Sequence, residues 1–139
     1  MSAPIALVLP HALSLGERCA GLLAVTAATL LLSVTRSRPR RIRHVLNALH
    51  RGGHEADLPC AEWAYGIVTT VNLRCAGGHD CLRRSLAIIV LCRMWGARAT
   101  WRVGFRSPPP QSHAWVEAAG EPVRETVDPR TIYTPIITV

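Results

Sequence analysis

CAGGHDCLRRSLAIIVLCRMWG, residues 75–96, decides how the rest of this chain is read. A glycine-rich turn (Ala76-Gly77-Gly78-His79) and a cap-forming Asp80 precede Cys81, and the run from Leu82 to Cys92 has the composition of a buried helix, which Gly96 stops. The sequence therefore predicts a helix that opens at Cys81. A thiol in a first helical turn faces unpaired backbone N–H groups and the positive end of the macrodipole, and both favour thiolate. Free cysteine is by default a small core residue, so the candidacy of Cys81 as nucleophile depends on what else the chain supplies.

Downstream the hydrophobic period changes from helical to alternating. Ala99, Trp101, Val103 and Phe105 alternate with Arg98, Thr100, Arg102, Gly104 and Arg106, which predicts a half-buried strand with one basic face. Three prolines (108–110) interrupt before His113-Ala-Trp-Val-Glu-Ala begins a second strand, and Pro122 to Val127 is the expected return strand. With Ala118-Ala119-Gly120 as a three-residue loop, His113 opposes Glu125 and imidazole can meet carboxylate. A two-residue loop at Ala119-Gly120 would pair His113 with Thr126 and turn Glu125 to the other face. Cys81, His113 and Glu125 are thus the expected thiol, base and orienting acid, with the turn-forming Asp128 as rival carboxylate. Trp101, Trp115 and Phe105 read as sheet core, and Arg83 and Arg84 as a solvated helix face, with support of the thiolate or contact with an acidic peptide as the alternative.

Upstream the chain reads helical. An apolar helix of about residues 15–35 is followed by one that starts near Pro39, repeats Ile42, Val45, Leu46 and Leu49, and ends at Gly52-Gly53. Asp57 caps a third, from about 58 to 74, with Trp63, Ile67 and Val71 on one stripe. Residues 20–34, at 1.5 Å each, fall short of a hydrocarbon core of ~30 Å, so a core helix is expected. Arg36, Arg38, Arg40, Arg41 and Arg43 follow it, a basic flank that makes peripheral membrane association the alternative.

At 139 residues the expectation is a single domain (1–139), about 1–75 helical and 76–139 a helix plus antiparallel strands, hence α+β. The net charge of +7 is carried by 16 arginines without a lysine, and no aromatic interleaving or binding module accompanies them, so no nucleic acid is expected. Five cysteines (19, 60, 75, 81, 92) form no Cys-x-x-Cys pair, which argues against a disulfide framework and points to a reducing, cytoplasmic setting. Cys75, His79 and Cys81 lack a fourth partner for a metal, so neither metal nor cofactor is expected. Cys19, Cys60 and Cys92 read as core.

Residues 75–96 together with WRVGFRSPPPQSHAWVEAAGEPVRETVDP (101–129) resemble the leader peptidases of lasso-peptide biosynthesis, the stand-alone B proteins with a transglutaminase-like, papain-like cysteine-protease fold. The likeness runs from about Leu73 to Val139. It rests on Cys-Leu-x-Arg-Ser-Leu-Ala, on the 32 positions from Cys81 to His113, and on His-Ala-Trp-Val-Glu. Better-known members carry Asp where Glu125 stands, Ala at Ser112, and a Phe near Pro110. The resemblance implies hydrolysis of one peptide bond in a ribosomally made precursor. It further implies a separate recognition protein that binds the leader and an ATP-dependent lasso cyclase that takes the released core peptide.

Overall fold

In the computed structural model, which describes residues 12–139, helix α5 (Cys81–Met94) is the axis of the molecule. Ser85, Leu86, Ala87, Ile88, Ile89, Leu91 and Cys92 are all buried, so the helix is covered on most sides, as the apolar run from Leu86 to Cys92 requires. Helices α1 (Leu15–Thr35) and α3 (Leu58–Val71) pack on one side of it and an antiparallel sheet on the other. These elements share one hydrophobic cluster that runs from Ala24 and Ile67 through Leu86 to Trp101 and Val116.

Each helix start is written locally. Ser14 and Glu17 form a reciprocal capping box on α1, and Asp57 accepts a hydrogen bond from the Cys60 N–H at 2.8 Å to cap α3. Pro39 opens α2 (Pro39–Leu49), whose Ile42 and Leu46 are buried. Arg93 on α5 donates to the carbonyls of Leu49 and Arg51 and closes the end of α2 before the glycines. Gly53, at φ +83° and pressed against the Gly96 carbonyl, then leads into β1 (His54–Glu55), which pairs in parallel with β2 (Ala97–Arg98). This short ladder breaks the helical character expected of the first half. The third helix also ends early. Asn72 adopts an extended conformation and accepts from the N–H groups of Arg74 and Cys75, so that a separate turn, α4 (Leu73–Ala76), follows. On α3 the buried stripe is Ala61, Ala64, Ile67 and Val68, while Trp63 is exposed and packs at a tilt against Trp95.

The sheet has the order β5-β4-β3-β6, with β3 (Thr100–Arg106), β4 (Gln111–Ala118), β5 (Glu121–Pro122) and β6 (Thr134–Thr138). Trp101 opposes Val116 and Trp115 opposes Arg102, so the two tryptophans lie on opposite faces rather than in one stripe. Trp101 faces α5 and donates its indole N–H to Ser85 Oγ. On the far face Trp115 donates to the buried Glu117 carboxylate, which also accepts from Arg102. Phe105, the last apolar residue before the proline turn, is 42% exposed at the strand end.

The hairpin after β4 takes the two-residue form. Ala119 and Gly120 have φ +52° and +79°, Ala118 pairs with Glu121, and Glu117 pairs with Pro122. The return strand is only two residues long. A 3₁₀ turn (Pro129–Thr131), capped by Asp128, then carries the chain to β6 on the opposite edge.

Gly104 on β3 opposes His113, and its missing side chain makes room for two rings: an added Cβ would lie 2.8 Å from Tyr133 Cβ and 3.0 Å from the Trp115 ring. Gly104→Ala is expected to destabilise the protein by about 1–3 kcal/mol through overpacking. The measurement is a lower urea midpoint at unchanged slope.

Candidate active site

Cys81 is the first residue of α5, lifted out of the preceding turn by Gly77 and Gly78. Asp80 occupies the N-cap position but does not cap: its carboxylate pairs with Arg83 at 2.9 Å. The surroundings of the Cys81 thiol come instead from the sheet. Val123 N–H donates to the Val116 carbonyl, which fixes the side of β4 that faces β5, and Ala114 presents its backbone to the same side. Because β5 pairs only with Glu117 and Ala118, the Ala114 amide is not taken by a strand and acts on the Cys81 sulfur. Sequence reasoning missed this donor, since it arises from where a neighbouring strand stops.

His113 lies on β4 with its ring between Cys81 and Glu125. Nε2 is 3.1 Å from Glu125 Oε2, and the ring is near enough to the Cys81 thiol for each to shift the other's ionisation. Tyr133 and Trp115 flank the imidazole with centroids at 5.3 and 5.9 Å. Tyr133 comes from the segment before β6 and carries no motif that would have singled it out.

The contact with Glu125 does not arise in the way the hairpin register suggests. The observed register would set Glu125 opposite Ala114, on the face away from His113. The chain leaves the sheet first. Arg124 takes a left-handed conformation at φ +54°, and the turn that follows swings the Glu125 carboxylate back to the imidazole. The three-residue loop is therefore wrong, yet the pair it was meant to produce is present. The rival Asp128 is engaged by the N–H and guanidinium of Arg130, at 2.8–3.1 Å, and takes no part.

Arg84 completes the arrangement. Its side chain is only 12% exposed, lies over the Tyr65 ring at 5.7 Å, and places Nη2 4.0 Å from Glu125 Oε1. Nη1 reaches the carbonyls of Cys75 and Gly77 at 3.5 Å each. The solvated-face reading fails for this residue because one helical turn after Cys81 points inward here, toward the carboxylate and the turn before the nucleophile. Arg83 remains on the outside with Asp80.

Burial disfavours ionisation of Cys81, and that is the largest single influence on it. The His113 hydrogen bond, the Ala114 amide, and the charges of His113 and Arg84 together outweigh burial and leave the thiol below its ordinary range. His113 is pushed up to about 9 by its hydrogen bonds to Cys81 and then Glu125, against an opposing effect of burial. The two shifts have one cause, an ion pair in a partly dry site. The other thiols behave differently. Burial raises Cys75, and burial with a Cys60 contact pushes Cys92 up to about 12. Cys19, expected in the core, is exposed.

Three polar side chains that could donate to a developing oxyanion are otherwise placed: Asn72 caps α4, Gln111 accepts from Arg106, and His79 is exposed. Among the described residues, no group of three or more His, Cys, Asp or Glu side chains could hold a metal ion. A groove of about 420 Å³ along α3 is lined by Glu17, Glu62, Trp63, Tyr65 and Arg124, and its lining includes none of Cys81, His113 and Glu125.

A family model described as the transglutaminase-like superfamily matches residues 23–138, from within α1 to β6. The chain belongs to that superfamily, which includes cysteine peptidases and acyltransferases. No curated protein and no solved structure matches it.

Selective alkylation tests the electrostatics. Iodoacetamide at about pH 6 is expected to modify Cys81 ahead of Cys75 and Cys92, because rate follows thiolate fraction. His113→Ala should slow that reaction while leaving the modification of Cys19 unchanged, as read by peptide mass mapping.

Proposed function

We propose that this member of the transglutaminase-like superfamily is a cysteine peptidase with a Cys81-His113-Glu125 triad, and that it removes the leader from a lasso-peptide precursor. The observation that supports the triad is the position of His113 between a sulfur that favours thiolate and a carboxylate at 3.1 Å. The precursor class rests on the sequence resemblance described above.

In this reading the Cys81 thiolate attacks the scissile carbonyl carbon, and the electron pair moves to oxygen. His113 passes its proton to the amine nitrogen as the C–N bond breaks, which leaves a thioester on Cys81 and frees the core peptide. Water then attacks the thioester, His113 takes the water's proton, and the leader departs as a carboxylic acid. Glu125 keeps the ring oriented and stabilises its charged form throughout. Arg84 is a positioning residue: it fixes Glu125 from the side away from His113 and holds the turn that presents Cys81. The partners in this scheme are the precursor, a leader-recognition protein and an ATP-dependent cyclase, in the cytoplasm.

An acyltransferase would use the same thioester and differ in the second nucleophile. Mass spectrometry of the leader product separates the two, since hydrolysis adds water and transfer adds the acceptor amine. Purified protein mixed with precursor and recognition protein is expected to release core peptide. Cys81→Ala is expected to abolish release, and His113→Ala to lower the rate by about 10²–10⁴-fold. A Cys81→Ala variant that still cleaves would end the peptidase reading and leave a scaffold that delivers precursor to the cyclase.

The rate should also follow the ion pair. It rises as pH climbs through the lowered Cys81 value and falls above about 9 as His113 loses its proton. Glu125→Gln removes a charge that raises His113 and should bring the alkaline limb to lower pH. Arg84→Gln removes a charge that lowers Cys81 and should bring the acid limb to higher pH. A merely structural role for either residue would lower the rate without moving the limbs.

A further inference from the structure

Helix α1 has two apolar faces and the fold uses one. Gly21, Ala24, Val25, Ala28 and Thr35 are buried, and Gly21 lets α3 approach so closely that a Cβ there would lie 2.6 Å from Ile67 Cγ2. Leu15, Cys19, Leu22, Leu23, Leu30 and Val34 recur at helical spacing on the other side, and all are exposed, Leu15 and Val34 by 79% and 77%. No described element covers this stripe. By length and composition α1 is long and apolar enough to cross a membrane, but its inner face is committed to α3 and α5.

Two observations identify what covers it. The polar side chains on the stripe have their donors taken within the helix: Thr26 donates to the Leu22 carbonyl at 2.8 Å and Ser33 to the Thr29 carbonyl at 3.0 Å. A protein interface of this length would be expected to carry hydrogen bonds, at about one per 100–200 Å². Hydrocarbon requires none. The stripe also runs into cations, since Arg36 follows α1 directly and Arg38, Arg40 and Arg41 line a groove with Ile136, which is itself exposed. Apolar surface edged by arginine is complementary to a bilayer with acidic headgroups.

We propose that the outer face of α1 and the arginines of residues 36–43 form a docking surface for an anionic membrane, on which the protein lies with α1 in the plane of the interface. The apolar side chains enter the acyl boundary and the guanidinium groups meet lipid phosphates. The inner face of α1 stays packed on α3 and α5, so attachment is peripheral and leaves the fold unchanged. This surface is separate from the Cys81 site and independent of the reaction assigned there.

The test is co-sedimentation of the full chain with vesicles of phosphatidylcholine alone or mixed with phosphatidylglycerol. The protein is expected to pellet with the mixed vesicles and remain in solution with phosphatidylcholine. Leu23→Glu combined with Leu30→Glu should weaken partitioning on the order of a hundredfold, and Arg40→Ala with Arg41→Ala about thirtyfold. These side chains are exposed, and Cys81 alkylation with far-UV circular dichroism verifies that the variants fold. Wild-type protein that stays in solution with both vesicle types overturns the proposal. So does binding that survives Leu23→Glu/Leu30→Glu but is lost on deleting residues 1–11, or a solution dimer that Leu23→Glu/Leu30→Glu dissociates.

Discussion

The site depends on one charged hydrogen-bonded bridge, the His113 imidazole held between the Cys81 sulfur and the Glu125 carboxylate. Placing a thiolate in a partly buried position is costly unless opposite charge and donors meet it. The structure supplies both at short range. The imidazolium balances the sulfur, the carboxylate balances the imidazolium, and Arg84 and the Ala114 amide complete the shell from the same two elements, α5 and β4, that carry Cys81 and His113. Every group in the arrangement faces a partner of opposite polarity, which is why the thiol falls and the imidazole rises together.

That bridge is possible because the sheet is incomplete beside it. A full-length β5 would pair with β4 as far as Ala114 and His113, take the Ala114 amide into a ladder, and put Glu125 on the wrong face. The strand ends after two residues, and the left-handed Arg124 redirects the chain. The gap along β4 then receives the N-terminus of α5. On the other side of β4, Gly104 does the complementary work: it leaves space for Tyr133 and Trp115 to press on the imidazole and restrict its rotation. A missing strand and a missing side chain together shape the pocket around one ring.

The charge distribution divides the molecule into regions with different roles. Arg84 is nearly enclosed and acts within the site, whereas Arg36 to Arg43 are exposed and extend an apolar stripe. Arginine suits both settings, because its guanidinium keeps its charge when buried and offers several donors in a plane. Helix α1 links the two regions, with one face packed on the core that supports α5 and the other directed outward.

The amino-acid sequence by itself determined where most helices begin and end, because capping residues and hydrophobic period act over a few positions: Asp57, Pro39 and Gly96 mark boundaries that the structure keeps. It also singled out Cys81, His113 and Glu125 as a candidate thiol, base and acid, from residue type and order. What only the tertiary structure decided was how they meet. The hairpin register, the exit of the chain at Arg124, the inward turn of Arg84, the exposure of Trp63 and Cys19, and the placement of Trp101 and Trp115 on opposite faces all depend on contacts between residues far apart in the chain. Local propensity is blind to such contacts. A strand that stops early leaves no signature in its own residues, since the reason lies in the helix terminus that occupies its place.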